Sequence, residues 1–449
     1  MSRDMKQDLD KIEDRDQLID YFRSGEKDPS RRAFGTEHEK FVFRRDNGKL
    51  LSFEEEGGFG DLFADIAERF GYEASYDHGH IVALERDGAA LTLEPGGQFE
   101  LSGAITQTVF ETAAEFDQHI REIKEVAGDR LAFVSWGMNP FDTLDEIPWM
   151  PKSRYGIMRE YMPKVGDRGL WMMKKTCTVQ GNYDYTSEED AADILRTALR
   201  VSPVVSAMFC NSPLADGAPN GMQSYRCHIW TRTDPDRTGF PDFMYDEGWG
   251  YSEYLEYVLD VPMYFIRRDG EYVAMHGKPF REFMEEGHGD WVARMGDFEL
   301  HLSTIFPEVR MKKYIETRGA DAGTREMMLA LPALWKGLLY SESARAGARQ
   351  MMVSTCPEKH RACFDQVYRL GIRAETQCGS FREMAEELVS LAGQGLDELA
   401  KEAGHDSERV FLEPLEQVLK DAKTPADRLL ESFEEHGGDK MAMVNAWEF

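Results

Sequence analysis

Four segments of this chain alternate polar and apolar residues with period two, and each lays a row of functional side chains along one strand face. In GTEHEKFVF (35–43), Glu37, Glu39, Phe41 and Phe43 share a face. In ALTLEPGGQFELSG (90–103), uninterrupted pairing puts Thr92, Glu94, Gln98 and Glu100 on one face and Leu91, Leu93, Phe99 and Leu101 on the other. A bulge at Gly96-Gly97 would re-aim one of these glutamates. KKTCTVQGNYDY (174–185) sets Thr176, Thr178, Gln180 and Asn182 against Cys177 and Val179. QSYRCHIWTRT (223–233), read as a strand, sets Ser224, Arg226, His228 and Trp230 against Tyr225, Cys227 and Ile229.

A solvated sheet face explains any one such row. Four rows together sort differently. They divide into carboxylates, neutral amides and hydroxyls, and a cation with an aromatic ring. That set suits hard divalent cations beside a zwitterionic substrate. Carboxylate oxygens are natural Mg²⁺ ligands, and a carboxylate cluster without a counterion is costly.

The strand-like segments between about residues 33 and 104 do not alternate with crossover helices, so an antiparallel sheet of the α+β class is expected. Helical spacing covers about 8–24 and 107–128, followed by a strand in LAFVSWG. Ser187 opens a helix through Ala207, with Asp190 completing its cap. From about 324 to 434 the pattern is nearly all helical.

The chain has 449 residues and a net charge of −29. Such a surface repels nucleic acid and anionic membrane, and a nucleotide needs metal ions or a local basic cluster to approach it. No 18-residue apolar run is present, and MSRDMKQDLDKIEDRD has neither an apolar h-region nor transit-peptide character. Six scattered cysteines without a CxxC argue against structural zinc and for a reducing compartment, with Cys356 and Cys363 as ordinary thiols. A cytoplasmic protein is expected. His78 and His80 read as ordinary polar residues. Lys152 and Arg154 lie in a packed loop or contact an anion. The turn at Arg318 and Asp321 approaches a phosphate only if something else brings one there. There is no P-loop motif.

The segments GTEHEKF, LEPGGQFELSGA, MPKSRYGIMREYMPKVG, TCTVQGNYDYTSE, RCHIWTRTDPDRTG, LSTIFPEVRMKKYIETRGAD and ALPALWKGLLY, in this order, resemble the plant-type and proteobacterial glutamate–cysteine ligase family from about residue 30 to about 435. The resemblance implies one catalytic domain across 1–449, with a sheet core at about 30–320 and a helical portion at about 324–449. It implies a curved antiparallel sheet of the glutamine-synthetase type, forming a saddle under the substrates. The implied reaction uses ATP to phosphorylate the glutamate γ-carboxyl, and the cysteine amine then attacks, as the first step of glutathione synthesis.

On the same ground Glu37, Glu39, Glu94 and Glu100 are the expected Mg²⁺ ligands, with Gln98 and Gln180 beside them. Arg226 is expected to pair with the glutamate α-carboxylate, with Trp230, Met172 and Met173 as pocket walls. Arg154 and Lys152 are expected to contact phosphate or carboxylate, and Arg318 to stabilise the transferring phosphate. A monomer or weak homodimer is implied. This chain departs from the family pattern at Ser153, where glycine is usual, at Gly181, and at Met275, where plant enzymes carry a redox cysteine. Ligation to another amine, and a non-catalytic nucleotide-binding homologue, are the alternatives.

Overall fold

Three of the four polar rows gather into one antiparallel sheet in the computed structural model, which describes residues 9–353 and 355–449. Nine strands form it: β1 (Phe34–Arg44), β2 (Glu73–Asp77), β3 (His80–Arg86), β4 (Ala89–Leu93), β5 (Phe99–Ser102), β6 (Leu131–Val134), β7 (Val179–Tyr183), β8 (Val309–Met311) and β9 (Ile315–Thr317). Their order is β8-β9-β7-β1-β5-β4-β3-β2, with β6 also pairing β1. All of these pairs are antiparallel.

Directly opposed residues share a face. One row therefore runs Thr92, Glu100, Glu39, and a second runs Ser102, Glu37, Gln180. A third runs Asn182, Glu316, Arg310. The other face carries Leu91, Leu101, His38 and Val179 in register. It is covered by α2 (Val109–Ala127), whose Phe116 and His119 lie against His38 and Phe99. The sheet centre is buried on both sides, which is why Glu37 and Glu39 sit among the buried residues.

Five expectations are corrected. ALTLEPGGQFELSG is a hairpin, not one bulged strand: the Glu94 N–H donates to the Gln98 carbonyl and Gly97 takes φ +80°. QSYRCHIWTRT is not a strand but contains the helix α6 (Tyr225–Trp230), capped by Ser224. The first helix, α1, spans Asp16–Arg23, and residues 1–8 of the expected helical and N-terminal stretch lie outside the described residues. Cys363 is not a thiol; it forms a disulfide with Cys378. The segment after Lys152, expected as a packed loop, is helical over Ser153–Val165, because it carries few β-branched residues and no glycine pair to break it. Ser187 caps α5 (Glu188–Met208) by accepting the Asp190 N–H at 3.1 Å. The C-terminal part is mainly helical, starting with α7 (Arg325–Tyr340).

The hairpin turn at Gly96 presses on the end of α4 (Gly169–Lys175). A Cβ there would stand 2.3 Å from the Lys174 carbonyl oxygen and 2.6 Å from its Cα. Gly96→Ala is expected to cost about 1–3 kcal/mol by overpacking, measured as a lower denaturant midpoint.

Candidate active site

One cavity opens on the polar sheet face. Glu39, Glu94 and Glu100 line it together with Arg154, Arg226, Arg310 and Arg318. Met172, Met173, Trp230, Phe265 and Phe306 form apolar walls, with Gln98 and Gln180 at the floor.

The acidic side comes from β1, β5 and the hairpin turn. Glu39 is opposite Glu100 across the β1–β5 ladder. Glu100 accepts the Thr92 hydroxyl at 2.7 Å and the Ser102 hydroxyl at 2.9 Å, so both of its oxygens are fixed. Glu39 accepts the Thr178 N–H at 3.0 Å. Burial, then the charges of Glu94 and Glu100, push the Glu39 carboxyl well above the usual carboxylate range. Arg226 offsets this only in part, and a divalent cation has the charge to balance the rest. Among the described residues no three His, Cys, Asp or Glu side chains form a ready-made cage. Mg²⁺ fits without one, since it is usually held by one or two carboxylates plus water and substrate phosphates.

Glu37 does not line this cavity. It lies one step along the same face, where the Asn182 amide donates to it at 3.0 Å. Lys152 also lies outside, in a small neighbouring cavity with Asp77 and Arg154. Gln98 spends its amide on the fold: its oxygen accepts the Gly96 N–H at 2.9 Å, and its nitrogen donates to the Met173 and Thr176 carbonyls. The Gln180 oxygen accepts from Arg318 at 2.7 Å.

The cationic side rests on α6 and the β8–β9 hairpin. Arg226 and Trp230 are four apart, so both point into the cavity from one helix face. Arg226 is 3% exposed and donates to the Arg318 and Gly319 carbonyls at 2.8 and 3.2 Å. Its Nε and the Trp230 Nε1 are buried donors with no hydrogen-bond partner among the described residues. Buried orphan donors are costly, and an acceptor anion in the cavity relieves them. Arg318 donates to Glu316 at 3.1 Å. Burial pushes the Glu316 carboxyl up, but Arg310, Lys312 and Arg318 pull harder and hold it well below the usual range.

Arg310 and Glu316 were missed in the sequence. The signal was there: Arg310, Lys312, Glu316 and Arg318 keep the same period-two spacing in VRMKKYIETR. Tyr155 and Met158, one helical turn apart on α3 (Ser153–Val165), also line the cavity.

An antiparallel sheet that brings carboxylates and arginines to one cavity with apolar walls is the class of fold this chain adopts. Solved structures share it. A glutamate–cysteine ligase from Francisella tularensis in complex with AMP matches at TM-score 0.50 and 11% identity, over 93% of this chain and 87% of that one. A bifunctional glutathione synthetase from Pasteurella multocida matches at TM-score 0.51 and 14% identity, over 98% of this chain and 53% of that one. At these identities the likeness concerns the fold. The chain itself belongs to glutamate-cysteine ligase family 2, whose model matches residues 33–446. It is 40% identical over 436 residues to the chloroplastic glutamate–cysteine ligases of Brassica juncea and Arabidopsis thaliana, covering 96% of this chain and 83% and 82% of theirs. The resemblance drawn from the motifs is borne out.

These relatives correct the cytoplasmic expectation, because their names place them in the chloroplast. The reason for the error is local. The expectation rested on the character of the first residues and on six scattered cysteines, and neither reports where a family member works. Among the described residues no helix is long and apolar enough to cross a membrane.

Proposed function

We propose that this protein is a glutamate–cysteine ligase: it phosphorylates the γ-carboxyl of glutamate with ATP and passes the acyl group to the amine of cysteine. The observation that carries the reading is the cavity's polarity, three carboxylates, two of them buried, lining one cavity with four arginines, in a chain of this family. On this reading the polar sheet face is the saddle of a glutamine-synthetase-like catalytic fold, within a single catalytic domain.

Glu39, Glu94 and Glu100 would hold Mg²⁺, with Glu37 extending the same face, and the ion would supply charge neutralisation for the transferring phosphate. Arg226 takes the glutamate α-carboxylate through its unpartnered Nε, and Trp230 closes over the same substrate. Met172 and Met173 wall its methylenes. Arg318 is held rigid by Gln180 and Glu316, and it faces the transferring phosphate together with Arg154. A carboxylate is a poor electrophile, so phosphorylation supplies the leaving group that the amine displaces. The acid-rich surface has no affinity for nucleic acid or anionic membrane, and the enzyme works as a monomer or weak homodimer.

The test is a product assay. Incubation with glutamate, ATP, Mg²⁺ and a panel of amines is expected to give γ-glutamylcysteine by mass spectrometry, with cysteine as the best acceptor. A larger yield with another amine would reassign the acceptor. No product with any amine would sink the reading.

A further inference from the structure

The role of Arg226 depends on how the short helix α6 is held, and the residue holding it comes from the turn after Arg318. Asp321 has a fully buried side chain. One of its oxygens accepts the Ser224 hydroxyl at 2.9 Å. The other accepts the Ser212 hydroxyl at 2.6 Å and the Asn211 N–H at 2.8 Å. Each hydroxyl, its proton committed to Asp321, turns a lone pair to α6. The Ser212 oxygen accepts the Arg226 N–H at 3.0 Å, and the Ser224 oxygen accepts the Cys227 N–H at 3.1 Å. The Tyr225 N–H goes to the Ser212 carbonyl at 3.1 Å. Of the first-turn amides, orphans in any helix, two are thereby satisfied through hydroxyls held by one carboxylate and the third by the Ser212 carbonyl.

Asp321 also faces the guanidinium it supports, at 3.8 Å from an Arg226 nitrogen. The pocket around it is closed: a Cβ on Gly137 would lie 2.5 Å from the Asp321 carboxyl. A residue that merely filled space here would not need a hydroxyl on each of its two carboxylate oxygens.

We infer that Asp321 is a positioning residue for substrate recognition: through Ser212 and Ser224 it sets the angle of α6, and with it the reach of Arg226 and Trp230 toward the carboxylate of an amino-acid substrate. The inference rests on the proposed ligase function. It adds a residue that touches no substrate and acts only through Arg226 and its helix.

The experiment compares Asp321→Asn and Ser224→Ala with the wild-type chain in steady-state assays that vary glutamate and ATP separately. Removing a supporting partner of this kind costs about 10–100-fold at the group it orients. KM for glutamate is therefore expected to rise about tenfold or more, and KM for ATP to stay within about twofold. A purely structural role lowers the active fraction, which reduces kcat and leaves both KM values in place. Ser224→Ala keeps the carboxylate and its Ser212 arm, and so serves if Asp321→Asn does not fold. In an Arg226→Lys background, Asp321→Asn is expected to add less than it costs alone, because the two act as a unit. Unchanged KM for glutamate in soluble variants, or strict additivity with Arg226→Lys, overturns the inference while leaving the ligase reading intact. A wild-type chain that neither binds nor turns over glutamate overturns both.

Discussion

Glu39→Gln is expected to lower kcat about a thousandfold while leaving the fold intact. The change keeps side-chain volume and the Thr178 contact, since an amide oxygen still accepts that N–H. It removes one charge from the carboxylate trio. Glu39 is the central member of that trio, with Glu100 opposite it on β5 and Glu94 acting on it from the hairpin turn. Losing a metal ligand in phosphoryl transfer forfeits several kcal/mol of charge stabilisation, and ~4 kcal/mol is about three decades of rate. The check is a kcat series against Mg²⁺ concentration, with thermal unfolding run in parallel. The substitution relieves like-charge repulsion in a buried cluster, so the metal-free variant is expected to be at least as stable as the wild type. The raised carboxyl of Glu39 adds a pH dependence. Below its folded value the group carries a proton, which the cation must displace, so apparent Mg²⁺ affinity is expected to rise with pH. Full activity of Glu39→Gln at saturating Mg²⁺ would remove Glu39 from the metal site.

The acidic row was legible in the sequence because β1 and its neighbours obey the simplest strand rule, and their register does the rest. The hairpin was not, yet its consequence was small. Thr92 and Glu100 are eight apart, so they share a face whether the segment is one strand or two strands joined at Gly96-Gly97. The turn's signature lay in those two glycines, and Gly97 takes a left-handed conformation that few other residues accept.

The helix α6 shows the opposite lesson. Its β-branched and aromatic composition favours a strand, and only Ser224, a good N-cap, speaks for a helix. Arg226 and Trp230 survived the error because a spacing of four is same-face in both geometries. His228, two from Arg226, did not survive it. It turns out of the row and stacks between Tyr225 and Tyr368. The Cys363–Cys378 pairing is a long-range contact, and spacing alone does not specify which cysteines meet. The resemblance supplied what neither periodicity gave, namely the chemistry of the ligands that these rows serve.

Arg226→Lys is expected to raise KM for glutamate by roughly 50-fold, which corresponds to ~2–3 kcal/mol for a lost charge-assisted hydrogen bond in a buried site. Lysine keeps a positive charge facing Asp321, so the helix cap and the ion pair are not emptied. It loses the planar fork that now spans the Arg318 and Gly319 carbonyls and keeps a further donor, Nε, without a partner among the described residues. A single ammonium cannot serve those carbonyls and a substrate carboxylate in the same fixed geometry. Because α-carboxylate contacts persist from bound glutamate to the acyl phosphate, the loss falls on ground state and transition state alike. The effect should therefore appear in KM with a smaller change in kcat. KM for ATP reports on Arg318, whose guanidinium is anchored separately by Gln180 and Glu316, and it should move little. Separate titrations of glutamate and ATP distinguish the outcomes. A variant whose KM rises for ATP and not for glutamate would move Arg226 to the phosphate end and leave the α-carboxylate without its partner.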